Sequence, residues 1–156
     1  MNCSIAKKIA LGCDHGGFLL KEKIARYLRS KKIPFVDVGT FSEVRMDYPD
    51  TAYKAARLVS RNMARAAILV CKTGIGNSIV ANKLKNIRAA LCYNIKAARL
   101  SRLHNDANVL VLGALFVSEQ KAKKMIDVWL ATAFEAGRHL QRLKKIERIE
   151  GICRKR

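Results

Sequence analysis

The chain has 156 residues, half of them hydrophobic and only two proline, which suits a single globular domain over 1–156. No apolar run nears the roughly 18 residues of a membrane span, and five cysteines without a C-x-x-C pair build neither a disulfide framework nor a zinc site. The net charge of +19 attracts polyanions, yet the bases are scattered, aromatics are 6 %, and no nucleic-acid-binding signature appears; the same field would serve a small phosphorylated substrate.

The start, Met1 to Lys8, lacks the long apolar core of a signal peptide and leads into a strand over 8–12, so a cytoplasmic protein is expected. Cys13-Asp14-His15-Gly16-Gly17 reads as a turn, followed by an amphipathic helix over 18–29 with Lys and Glu on its outer face. Asp14 and His15 thus stand at the carboxyl end of a strand, where open α/β sheets bind ligands. The same two positions also suit a helix cap and a solvated turn residue.

A second strand covers 34–39, and 40–50 is a loop in which Pro49 forbids a helix and Asp50 can cap the next one, over 52–63. The third strand ends at Cys71. It is followed by Lys72-Thr73-Gly74-Ile75-Gly76 and a short helix over 77–84. Strand, tight glycine turn and helix start gather backbone N–H groups around an anion. A thiol facing such a helix start can lose its proton near neutral pH; it can also be one more small buried hydrophobe. Cys71 before Lys72 excludes a Walker A loop, and Ile79 stands where a dinucleotide fingerprint needs a third Gly or Ala.

Further strands are expected over 88–92 and 109–113, and helices over 95–103, 118–133 and 140–149. Residues 104–108 read as a polar loop, 135–139 as a break, and 151–156 as a flexible basic tail. Five strands alternating with helices predict an α/β fold: a Rossmann-like, doubly wound parallel sheet in an α/β/α sandwich with a C-terminal helix.

Five motifs occur in one order across about 8–150. They are Gly12-Cys13-Asp14-His15-Gly16-Gly17-Phe18, Asp47-Tyr48-Pro49-Asp50, Cys71-x-Thr73-Gly74-Ile75-Gly76, Leu100-Ser101-Arg102-x-His104-Asn105-Asp106-Ala107-Asn108 and Gly137-Arg138-His139. Together they resemble ribose-5-phosphate isomerases of the B type, whose relatives include galactose-6-phosphate isomerase subunits. The resemblance implies a cofactor- and metal-independent aldose–ketose isomerase of the pentose phosphate pathway, interconverting ribose 5-phosphate and ribulose 5-phosphate through an enediolate. It further implies a homodimer or tetramer with sites shared between subunits, and the apolar stripe of 118–133 offers a contact face.

By the same resemblance Cys71 is the base, Thr73 and the N–H groups of Gly74, Ile75 and Gly76 hold the oxyanion, and His104, with Asn105 beside it, protonates the ring oxygen. Cys13 and Asp14 touch substrate, His15, Arg138 and Arg142 hold the phosphate, and Tyr48 lines the pocket. His139 reads as a helix-end residue. Two positions depart from the family pattern: Lys72 replaces a glycine whose backbone shape other residues dislike, and Leu115 replaces a phosphate-binding arginine. The Lys72 ammonium would favour the Cys71 thiolate and offer the phosphate a cation. These departures keep other readings open: an isomerase of galactose 6-phosphate or allose 6-phosphate type, or a weakly catalytic polyanion-binding protein on the same fold.

Overall fold

The computed structural model describes residues 8–153. Five parallel strands form one sheet in the order β2-β1-β3-β5-β4, with β1 at Ile9–Cys13, β2 at Phe35–Gly39, β3 at Ala66–Cys71, β4 at Ala89–Leu91 and β5 at Val109–Gly113. Every residue of β1, β3 and β5 is buried, as expected of apolar runs covered by helices on both faces. Alternation divides β3: Ile68 and Val70 face one layer, Ala67 and Leu69 the other.

On the first face pack α1 (Phe18–Ser30), α4 (Ile95–Asn105) and α5 (Glu119–Ala131); on the second, α2 (Tyr48–Ser60) and α3 (Ile75–Ala81). The sheet is therefore doubly wound, and its strand order reverses between β1 and β3, where such sheets open a crevice at their carboxyl edge. A sixth helix, α6 (Arg138–Cys153), follows at the end.

Several local expectations are corrected. Helix α2 begins at Tyr48 with Pro49 in its first turn, because a missing N–H costs nothing where no intrahelical acceptor exists; Asp50 lies inside that turn and caps nothing. Helix α4 runs through His104 and Asn105 until Asp106 turns left-handed at φ 43°, and α6 starts at Arg138 and includes residues 151–153. Cys3 and the basic residues 154–156 lie outside the described residues. Lys21, expected on the outer face of α1, is fully buried. Asp37 at 2.6 Å and Glu22 at 2.7 Å neutralise it, and the rings of Phe18 and Phe41 lie within 5.4 Å of its ammonium. The stripe of α5 is not a free contact face either: Ala122, Met125, Ile126 and Trp129 are buried in the chain's own core.

Candidate active site

At the carboxyl edge, β1 leads into a single 3₁₀ turn, His15–Gly17, which packs on β3 so tightly that a Cβ at Gly17 would collide with the Val70 carbonyl. Asp14 caps this turn, its Oδ1 accepting from the Gly17 N–H at 2.9 Å. The cap reading and the edge position thus hold together. Burial, opposed chiefly by that hydrogen bond, pushes the Asp14 carboxyl above its usual range.

Cys71 ends β3 facing the α2 and α3 layer. Gly74, at φ 87°, bends the chain back so that its N–H donates to Cys71 Sγ at 2.9 Å. A Cβ there would also strike Leu91. The Ile75 N–H is directed at Thr73 Oγ1 at 3.3 Å, so the cradle expected for a substrate oxyanion closes here on the chain's own sulfur and hydroxyl. Tyr48 lies against the same turn, its ring 2.5 Å from where a Gly76 Cβ would stand.

Burial pushes the Cys71 thiol above its ordinary value; the Gly74 N–H pulls it back, and the Asp14 charge adds to the rise. The expected thiolate near neutrality is therefore corrected for the protein alone, because desolvation outweighs the helix start. Lys72 is not among the groups that lower this thiol, and it is not in the left-handed region. Neither a Lys72-stabilised thiolate nor backbone strain at that residue follows. Cys13 is fully buried on the α1 side of β1, opposite to Cys71. Its Sγ lies 3.8 Å from the Thr40 carbonyl, and burial raises its pKa to about 12. It faces the core and not the crevice.

A cleft of about 490 Å³ opens beside this edge, lined by His15, Gly16, Lys23, Lys72, Leu115 and Glu119 among others. The Leu115 N–H donates to the Lys72 carbonyl at 3.0 Å, which brings the two departures from the family pattern together. His15 Nδ1 lies 3.3 Å from the Met46 amide and 3.2 Å from its carbonyl, so loop 40–47 orients the ring in either tautomer.

The remaining candidates gather elsewhere. His104 and Asn105 close α4 at the amino edge of the sheet, where Asp106 pairs with Arg88 at 2.8 Å and the Asn108 carbonyl receives the N–H of Ala67, the second residue of β3. The His139 ring stacks on His104 with centroids 4.3 Å apart, bringing Arg138 and Arg142 of α6 to the same region. His139 is the helix-end residue expected, in the first turn of α6, and it is 4 % exposed. Burial and then the His104 charge hold it below the ordinary imidazole range. Glu135, unmarked in the sequence, reaches both rings: its Oε2 lies 3.8 Å from His104 Nε2 and 3.5 Å from His139 Nε2.

The six-residue length of β3, at about 3.3 Å per residue, separates this group from Cys71. Among the described residues no hydrogen bond, ion pair or ring contact joins the two groups. Exposed apolar residues flank both: Ile75 and Ile79 on α3 beside Cys71, and Leu140, Ile146, Ile149 and Ile152 on α6. No described helix is long and apolar enough to cross a membrane.

Residues 9–146 match the model of a family described as ribose/galactose isomerase. The chain is 46 % identical over 144 residues to ribose-5-phosphate isomerase B of Escherichia coli K12, covering 92 % of this chain and 97 % of that one. It is 47 % identical over 139 residues to a putative sugar phosphate isomerase of Rickettsia bellii, with coverages of 89 % and 96 %. Among solved structures it is similar to ribose-5-phosphate isomerase B of Clostridium thermocellum, at TM-score 0.91 and 44 % identity over 92 % of this chain and 97 % of that one. It is also similar to the Mycoplasma genitalium enzyme of that name with ribulose 5-phosphate bound, at TM-score 0.89 and 39 % identity over 94 % and 98 %.

Proposed function

The chain belongs to the ribose/galactose isomerase family, and from that membership we propose that it interconverts ribose 5-phosphate and ribulose 5-phosphate, with Cys71 as the proton-transfer base. The observation that carries this reading is the sulfur at the end of β3, cradled by the Gly74 N–H at the crevice where the strand order reverses. In a relative of the same fold a molecule of ribulose 5-phosphate is bound.

The chemistry needs a closed ring opened, a proton taken from C2, an enediolate stabilised and a proton returned to C1. His104 gives a proton to the ring oxygen as the C1–O bond breaks, and the O1 hydroxyl loses its proton to water, leaving the open-chain aldehyde. The Cys71 thiolate then takes the C2 proton; the electron pair moves through the C1–C2 bond onto the C1 oxygen. The same sulfur returns its proton to C1, while the O2 proton passes to O1 and leaves a ketone at C2. The Gly74 N–H holds the sulfur's charge in the thiolate state, and Thr73 and the Gly76 N–H side of the turn meet the oxygens. Asp14 opposes the thiolate, so its protonation or its hydrogen bonding to a sugar hydroxyl favours the base. His15 and Lys72 line the cleft that suits the phosphate, and the reading adds Arg138 and Arg142 to it.

Cys71 and His104 lie at opposite edges of the sheet, so in this reading His104, Asn105, Arg138 and Arg142 of a second copy complete each site. The exposed apolar faces of α3 and α6 are the surfaces that would join the copies. A phosphorylated sugar does not cross membranes unaided, so the same reading places the protein in the cytoplasm, where such substrates are made.

The deciding assay follows ketose formation from ribose 5-phosphate by purified protein, with allose 6-phosphate and galactose 6-phosphate as controls. Faster turnover of the five-carbon substrate is expected. Turnover of a six-carbon phosphate alone would replace the substrate, and absence of all three activities would overturn the enzyme reading.

A further inference from the structure

The amino-edge cluster holds more than a proton donor. The geometry points to a transition-metal site formed by His104, Glu135 and His139, which takes a zinc-like divalent ion and thereby withdraws His104 from ring opening. One donor atom from each residue lies within 4.8 Å of the other two. Around a tetrahedral zinc ion, nitrogen and oxygen ligands stand about 3.3 Å apart, given metal–ligand bonds near 2.0–2.1 Å. The Glu135 oxygen is already 3.5 Å from His139 Nε2 and 3.8 Å from His104 Nε2. The remaining closure is between the two imidazoles. The two imidazoles stack face to face, 4.3 Å and 9° apart, so both nitrogens reach one ion only once His104, whose side chain is 35 % exposed, turns out of the stack, with Glu135, at 55 %, following it.

A second observation points into the same space. His139 Nε2 is buried and has no hydrogen-bond partner among the described residues, although it faces the carboxylate. A buried polar nitrogen left in that condition costs stability until something fills it. The backbone keeps the acid close: the Glu135 N–H donates to the Leu103 carbonyl at 3.0 Å, beside the last turn of α4. His139 sits in the first turn of α6, four residues beyond Glu135.

The donor set also names the class of ion. Two imidazoles and one carboxylate suit zinc, cobalt or nickel, whereas calcium and magnesium ask for oxygen throughout. Arg138 and Arg142 lie close to His139, so an ion held by charge alone is repelled, and one that forms coordinate bonds to nitrogen is selected. A fourth position is left for water.

The metal's binding stands on this geometry alone; its effect on turnover rests on the function proposed above. The two are separated by measuring binding directly. The purified, metal-free protein is titrated calorimetrically with zinc chloride, then with cobalt(II) while its visible spectrum is recorded. The expected result is one ion per chain, a tetrahedral cobalt spectrum without a sulfur charge-transfer band, and at least about a tenfold loss of affinity in both Glu135→Gln and His139→Gln. Zinc should inhibit isomerisation over the concentration range in which it binds, and magnesium should not. A sulfur band, or zinc affinity unchanged in both variants, would assign the ion to cysteines and overturn the site. So would the absence of binding. Binding as expected with no inhibition would leave the site standing and refute His104 as the ring-opening group.

Discussion

The two edges of the sheet are built by different means. At the carboxyl edge, the site is backbone: a left-handed Gly74, a glycine at 17 pressed on β3 and an N–H aimed at a sulfur, all within a few residues of two adjacent strands. At the amino edge it is mainly side chains. His104, Glu135 and His139 come from the end of α4, a connector and the start of α6, and they meet through ring stacking and a shared carboxylate. The first arrangement is complete within one chain because hydrogen bonds along the turn fix it. The second, with exposed Arg138 and Arg142 and a partly exposed His104, has no hydrogen bond, ion pair or ring contact to Cys71 among the described residues, and in the proposed reading it serves isomerisation through the thiol of another copy.

The largest effect should come from breaking the carboxyl half. Cys71→Ala is expected to lower kcat by about 10⁴-fold, the upper end for a positioned proton-transfer group, and to stop exchange of the substrate C2 hydrogen with solvent. Turnover within tenfold of wild type would remove Cys71 from the role of base. His104→Ala should cost less, about 10²-fold, because sugar rings also open unaided in water. A preparation supplied with open-chain substrate analogue should show a smaller deficit still.

Gly74→Ala tests whether the backbone half depends on its turn. The left-handed φ and the collision with Leu91 should destabilise the protein by about 2–3 kcal/mol, read as a lowered melting temperature. The same change at Gly137, also at positive φ but with open space around it, should cost less. Chemical state sharpens the comparison further. Since burial raises the Cys71 thiol, alkylation by iodoacetamide should climb with pH through the ordinary thiol range and level off only above it. Asp14→Asn removes a charge that raises the thiol, so its alkylation curve should move to lower pH. A curve unmoved, or already level at neutral pH, would contradict the balance of burial and charge described here. The smallest effects belong to the cleft. Leu115→Arg should lower KM about five- to tenfold by adding a charge-assisted contact, and Lys72→Gly should raise it by a similar factor, with kcat little changed in either.

The carboxyl half was legible because its signals are contiguous. A fully apolar run before Cys71 marks a buried strand, and two glycines mark the turn, so order of elements and edge position follow from a dozen neighbouring residues. Helix ends were less legible. Pro49 reads as a breaker until its place in the first turn of α2 is seen, and nothing in residues 104–108 separates a last helical turn from a loop. Lys21 reads as solvated because its neutralising partner Asp37 lies on another element. Glu135 and His139 escape for the same physical reason: they are more than thirty positions from His104, and packing, not spacing, brings the three together.

The central claim is that the two half-sites meet only between copies, and mixing tests it most directly. Cys71→Ala and His104→Ala proteins, each with no more than about a hundredth of the wild-type rate, are dissociated, combined in equal amounts and allowed to reassociate. Half of the resulting dimers pair one variant with the other, and each of these carries one intact site of two, so about a quarter of the wild-type rate should return. A mixture no more active than its components, with exchange of subunits verified by mass, or a wild-type monomer with full activity, would contradict the account.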